Sequence, residues 1–189
     1  AKAGSSGWSD GDKVPGRVTG ALWDLHENDG STEEFDRFNT LFADIWQVFA
    51  DRRPATFREW WEGWRALKKN GCAAVGSLFQ NTIDYNTPPS IQPIPDVVLD
   101  EDETAILDLK NYVDDADCGD ENILIRLVDA GKPEAGVKLL DTKVISITPQ
   151  ADWSGDTRVT VAVSDGLVES QQSFRVIVNA VNDCVTLVK

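Results

Sequence analysis

The spacing of apolar residues changes once along this chain, from every third or fourth residue to every second, near Asn86–Ser90. A period of about 3.6 lines up side chains on a helix face, whereas a period of 2 lines them up on one face of a strand. One domain type cannot satisfy both patterns, and 189 residues suffice for two small domains. Pro88-Pro89 marks the junction, because adjacent prolines stiffen a linker and bar a helix. We read residues 1–86 as a helical domain and residues 87–189 as a β-domain, an α plus all-β chain.

The first part predicts four short helices around an aromatic core. Pro15 suits a first helical turn, and Val18, Ala21, Leu22 and Leu25 follow at helical spacing. Ser31-Thr32-Glu33-Glu34 is a capping box, followed by a stripe of Phe35, Phe38, Phe42, Ile45, Trp46 and Phe49. Thr56-Phe57-Arg58-Glu59 is a second box, starting a helix with Phe57, Trp60, Trp61, Trp64 and Leu67 on one face. Asn70-Gly71 is expected to end it in a left-handed cap. Ala73, Val75, Leu78 and Phe79 predict a last helix up to Ile83. At this spacing the three tryptophans read as core before they read as a sugar platform.

The second part alternates. Leu107 and Leu109 alternate with Asp108 and Lys110; Val159, Val161 and Val163 with Arg158, Thr160 and Ser164; Phe174, Val176 and Val178 with Ser173, Arg175 and Asn179. Turn signals recur at 114–119, 130–133, 154–155 and 165–166, which predicts about seven strands in a β-sandwich of immunoglobulin-like type.

Charge narrows the function. The net charge is −14, with 10 basic against 13 acidic residues in 1–86 and 8 against 19 in 87–189, or −3 and −11. An acidic second part repels phosphate, which excludes nucleic acid as an expected partner and favours divalent cations. No apolar run approaches the roughly 20 residues of a membrane span. The chain has no Met and no signal peptide, so it reads as a piece of a longer protein. Cys72, Cys118 and Cys184 fit neither a disulfide framework nor a paired metal motif. One pair with one free thiol, or three buried thiols, both satisfy the count. A Cys72–Cys118 bridge is geometrically conceivable; Cys184 falls at the opposite end of the sandwich.

Ca²⁺ takes six to eight oxygens from carboxylates, Asn amides and carbonyls. With strands running up and down in order, Asp115, Asp117 and Asp165 share the upper end with Asp84 and Asn86 of the linker. Glu101 shares the lower end with Asn182 and Asp183. The bland alternative is that Asp and Asn merely favour turns. A further weak candidate is the loop from Asp24 to Asp36. There Glu27, Asp29 and Asp36, with Gly30, imitate positions of a calcium-binding helix–loop–helix, although Leu25 stands where the first ligand belongs and Asp24 would have to substitute. A plain capped loop explains it better.

The string Pro88-Pro89-x-Ile91, Glu101-Asp102, Asp115-x-Asp117, Asp152-Trp153-Ser154-Gly155, Ser164-Asp165-Gly166 and Val181-Asn182-Asp183 resembles the cadherin-like Ig-fold repeats of prokaryotic surface proteins. That resemblance implies a seven-stranded Greek-key sandwich, tandem domains, an extracellular or cell-surface location and Ca²⁺ held by Glu101, Asp115, Asp117, Asp165 and Asn182-Asp183. The Asp-Arg-Glu-type motif of animal cadherins is missing, and Asp152-Trp153 stands in its place, where Trp153 is expected to pack over the core. Residues 14–86, with Leu22-Trp23-Asp24-Leu25-His26-Glu27, Arg53-Pro54-Ala55-Thr56 and Trp60-Trp61-x-Gly63-Trp64, resemble the helical tail that follows zinc-metallopeptidase-like domains. A single histidine, His26, cannot build a two-His zinc site, and it reads as an ordinary helix-end residue. No phosphate loop or nucleophile motif is present.

The expected function is non-catalytic: a calcium-binding module for adhesion, spacing or domain presentation. Its expected partners are neighbouring domains of the same polypeptide, with another surface protein or a polysaccharide as further candidates. The alternatives are an accessory C-terminal region of an extracellular zinc metallopeptidase and a carbohydrate-binding module.

Overall fold

The computed structural model describes residues 8–27, 35, 38–67, 71–119 and 122–182. The chain forms two compact units. The first comprises residues 1–87 and 116–119; the second comprises 88–115 and 120–189.

The first unit contains helices α1 (Pro15–Asp24), α2 (Phe42–Arg52), α3 (Phe57–Ala66) and α4 (Gly71–Gln80), preceded by a 3₁₀ turn at Trp8–Lys13. Pro15 opens α1 where its missing N–H costs nothing. Thr56 caps α3 by accepting from the Glu59 amide at 3.2 Å, while the Glu59 carboxylate accepts from the Ala55 amide at 2.7 Å. The box expected from the sequence is therefore present, closed one residue earlier than usual. Trp60 and Trp64 are fully buried and Trp61 nearly so. Trp60 stacks on Phe57 and on Trp64 at 5.3 Å between ring centroids, so the three tryptophans are core.

Two helix boundaries differ from expectation. The second helix starts at Phe42, not behind the Ser31–Glu34 box, which lies outside the described residues. Thr40 explains the late start: its amide donates to the Leu25 carbonyl at 3.0 Å and its hydroxyl to Asp44 at 2.7 Å. That tertiary bond draws the segment to the end of α1, and Leu41 before the helix is extended. Phe35 and Phe38 still reach the core, edge-on against Phe79 and Trp64. The buried face of α2 is Ile45 and Val48, which leaves Phe42 and Trp46 each 59% exposed. The second difference is at Gly71. It does not cap α3, which ends at Ala66, but opens α4. A Cβ there would collide with the Asp117 carbonyl, so glycine is required by a close backbone approach.

Helix α4 closes with paired bonds from Thr82 N–H to the Phe79 carbonyl (2.9 Å) and Ile83 N–H to the Leu78 carbonyl (3.1 Å). This double closure places Thr82 at φ 59°, a left-handed position that glycine usually fills, between fully buried Leu78 and Ile83 in the chain. Asn81 ties the helices together, donating to the Ser77 carbonyl and to buried Asp24.

Among the described residues the second unit is a sandwich of nine strand segments: β1 (Ser90–Ile91), β2 (Val97–Asp100), β3 (Ala105–Asp108), β4 (Val113–Asp114), β5 (Leu124–Asp129), β6 (Val137–Asp141), β7 (Val144–Ile147), β8 (Gly155–Ser164) and β9 (Glu169–Asn179). One sheet has the order β2-β9-β8-β5 and the other β3-β7-β6, while β1 pairs with β4. The expected seven strands become nine segments because two are interrupted. The strand expected to run to Lys110 stops at Asp108, whose carboxylate accepts from the Lys110 amide at 3.0 Å and caps a 3₁₀ turn, Leu109–Asn111. Strand β2 runs parallel to β9, with Leu99 opposite Val178 and Asp100 opposite Asn179. Val159, Val161, Val163, Phe174, Val176 and Val178 fill the interior with Ile145, Ile147 and Leu109, and Trp153 packs against them half-buried.

Candidate functional site

Topology sorts the acidic residues of the sandwich to its two ends. Strand β4 ends at Asp114, opposite Ser90 where β1 begins. Strand β8 ends at Ser164, opposite Leu124 and Glu169. Asp115 and Asp165 therefore stand at the end where the sandwich starts. At the other end β2 and β9 finish side by side, which brings Glu101 next to the exit of the chain.

At the starting end both acids are buried. Asp165 turns back on its own loop, its Oδ1 accepting from the amides of Leu167 (2.7 Å) and Val168 (2.8 Å). That turn is built from the Ser164-Asp165-Gly166 sequence, where Gly166 takes φ 94°.

At the exit end Glu101 is only 7% exposed. Its Oε1 accepts from the Val181 amide at 2.8 Å, and its own amide donates to the Asn179 carbonyl at 3.1 Å. Asp100 Oδ1 accepts from Asn179 Nδ2 at 3.2 Å. Two carboxylates and the Asn179 amide thus collect where β9 runs out, with Asn182 following three residues on; Asp183 lies outside the described residues. All the side chains gathered here ligate through oxygen, the donor chemistry of a hard cation such as Ca²⁺.

Asp84, Asn86 and Asp117 belong to the first unit. Asp84 Oδ1 accepts from the Asn86 amide at 3.2 Å, a local turn. The Asp117 side chain is 1% exposed, 3.4 Å from an Arg65 guanidinium nitrogen, and its Oδ2 accepts from the Thr87 amide at 2.6 Å. Arg65 also donates to the Ala116 carbonyl at 3.5 Å, and Cys118 is joined to Cys72 in a disulfide with Cα atoms 4.4 Å apart. Of the two pairings left open by the cysteine count, one bridge is therefore realised; Cys184 lies outside the described residues. Arg65 was not legible as a site residue, since an arginine on an exposed helical face carries no motif.

Asp24 is buried and accepts from Asn81, His26 Nδ1 donates to the Thr40 carbonyl at 3.0 Å, and Glu27 is half-buried beside it. Asp29 and Asp36 lie outside the described residues. Among the described residues no three His, Cys, Asp or Glu side chains converge as a metal-binding group.

Two more features of the first unit escaped sequence reading. Tyr85 is buried against Phe57 and Trp61, donates to Asp12 at 2.7 Å and lies under the Arg58 guanidinium, 4.4 Å from its ring centroid. Burial, then the Asp12 carboxylate, pushes its hydroxyl pKa well above the ordinary 10.0. Trp23, His26, Phe42 and Trp46 form an exposed chain of rings, spaced 6.0 to 6.4 Å.

Residues 1–82 match the family model of the Mycolysin C-terminal domain, and residues 86–178 match that of the bacterial Ig domain. No curated protein matches the chain. Among solved structures, the two-domain EC1-2 fragment of human protocadherin-24 is similar over 50% of this chain and 44% of its own, at 20% identity and a TM-score of 0.39. A chimeric titin Z1Z2 is similar over 50% of this chain and 97% of its own, at 16% identity and a TM-score of 0.36. An endo-fucoidan hydrolase from glycoside hydrolase family 107 is similar over 53% of this chain, at 20% identity and a TM-score of 0.37. The chain spans only 15% of that hydrolase. Scores below 0.5 are too low for any shared function to follow. No helix among the described residues is long and apolar enough to cross a membrane.

Proposed function

We propose that this chain is a non-catalytic accessory region of an extracellular protein that spaces and presents neighbouring domains of the same polypeptide, because its two parts match the models of a Mycolysin C-terminal domain and a bacterial Ig domain. Both are accessory domain types of extracellular bacterial proteins, and the tandem of the two matches is the observation that carries the reading. The first match favours a peptidase as the neighbour on the helical side. His26, the one histidine, is tied to the Thr40 carbonyl, so chemistry of the zinc-peptidase kind would belong to that neighbour. Measurable peptide hydrolysis by this chain with added zinc, abolished by chelation, would contradict the reading.

The same proposal assigns Ca²⁺ to the exit end of the sandwich. Glu101 and Asp100 would hold it with the Asn182 amide and Asp183, and a following domain would complete the shell. The ion would supply charge neutralisation and rigidity where the chain leaves the sheet. Melting of the chain in calcium and in chelator is the test. By linkage, saturation at a hundredfold excess over Kd adds about 2.7 kcal/mol, and Glu101→Gln is expected to lose most of that gain. Equal melting temperatures in both buffers would remove calcium from the account while leaving the accessory role standing.

A further inference from the structure

The Asp115-x-Asp117 loop is the place where the cadherin-like pattern expects calcium, yet the second half of that loop is already occupied by protein groups. Residues 116–119 are flanked on both sides by residues of the sandwich unit, but they belong to the helical unit. Among the described residues four features hold them there. Cys118 is bonded to Cys72 on α4. Arg65 on α3 faces the Asp117 carboxylate at 3.4 Å and the Ala116 carbonyl at 3.5 Å. Asp117 accepts the Thr87 amide at 2.6 Å. Gly71, lacking a side chain, lets the Asp117 carbonyl lie against the start of α4.

A guanidinium beside a nearly fully buried carboxylate occupies the electrostatic role that a bound cation would otherwise take, and two positive groups at one carboxylate repel. The bridge adds what an ion cannot: it closes a ring over residues 72–118, within which the linker lies. We infer that in this chain a thiol-sensitive clasp, the Cys72–Cys118 bridge with the Arg65–Asp117 pair, replaces calcium in holding the 116–119 segment to the helical unit. A cleavage anywhere inside that ring would leave the two pieces of chain covalently joined, which suits a linker exposed to extracellular proteolysis. The inference is separate from the exit-end calcium site, and either can fail alone.

The Thr87 amide reports on the clasp, because it donates to the Asp117 carboxylate. Its hydrogen exchange is followed by NMR in the oxidised protein with calcium and with chelator, and again after dithiothreitol. The reductant passes two electrons and two protons to the bridge, yielding two thiols and its own cyclic disulfide. Exchange is expected to be equally slow in both oxidised samples. It is expected to rise roughly tenfold or more after reduction, with or without calcium, and Cys118→Ser is expected to behave as the reduced protein does. Tryptophan fluorescence is recorded alongside as a check on the Trp60–Trp64 core, which is expected to stay buried. Release by chelator alone, restoration by calcium after reduction, or unchanged protection after reduction would each overturn the inference. So would loss of the tryptophan core on reduction, since the bridge would then be a staple of the whole helical unit.

Discussion

Burial and the Asp12 carboxylate both oppose ionisation of Tyr85, so its proton is held more tightly in the folded chain than in the unfolded one. A group whose pKa rises on folding contributes stability that is complete below its unfolded value and is lost as pH climbs. The helical unit is therefore expected to weaken above about pH 10. Tyr85→Phe is expected to cost roughly 1–2 kcal/mol at neutral pH, because it leaves a partly buried carboxylate oxygen without its donor, and to flatten the alkaline decline. Tryptophan-detected urea unfolding at neutral and alkaline pH measures both effects. Thr82 makes the opposite prediction. A β-branched residue at φ 59° is strained, and Thr82→Gly is expected to raise stability by up to about 1 kcal/mol. A loss of more than that would show that the Thr82 side chain contributes packing that outweighs the backbone strain.

At the scale of elements, capping and core residues give separate readouts. Removing the α3 cap with Thr56→Ala is expected to cost about 1 kcal/mol, seen in the tryptophan signal. Ile145 is fully buried on β7, opposite Leu107 on β3 and Leu139 on β6. Ile145→Ala is expected to cost roughly 3 kcal/mol through the cavity it leaves, read by calorimetry. The cap and the core of β8 were legible because their signals are local or strictly periodic: Thr56 and Glu59 lie three residues apart, and Val159, Val161 and Val163 alternate without a break. The start of α2 was not legible, since it depends on the Thr40 amide reaching Leu25, a partner fifteen residues back. Gly71 misled for the same reason. Its glycine answers a backbone contact with Asp117, and no window of neighbouring sequence contains that contact. The acidic residues were legible as turn and end markers. What holds each of them was not, because Arg65, Val181 and Thr87 are ordinary residues brought in by tertiary structure.

At the scale of the whole molecule, an aromatic helical core and an aliphatic sandwich core divide the chain. Six of the seven tryptophans fall at positions 8 to 64 and only Trp153 in the sandwich, so fluorescence follows the first unit while calorimetry follows both. The chain's acidity is concentrated after residue 87, which leaves the sandwich as the part whose stability is expected to answer to divalent ions. Isothermal titration of calcium into the oxidised chain tests this most directly. Saturable binding heat is expected in the wild type, lost in Glu101→Gln and kept in Arg65→Gln. Binding that survives Glu101→Gln, or no saturable heat at all, would contradict this expectation.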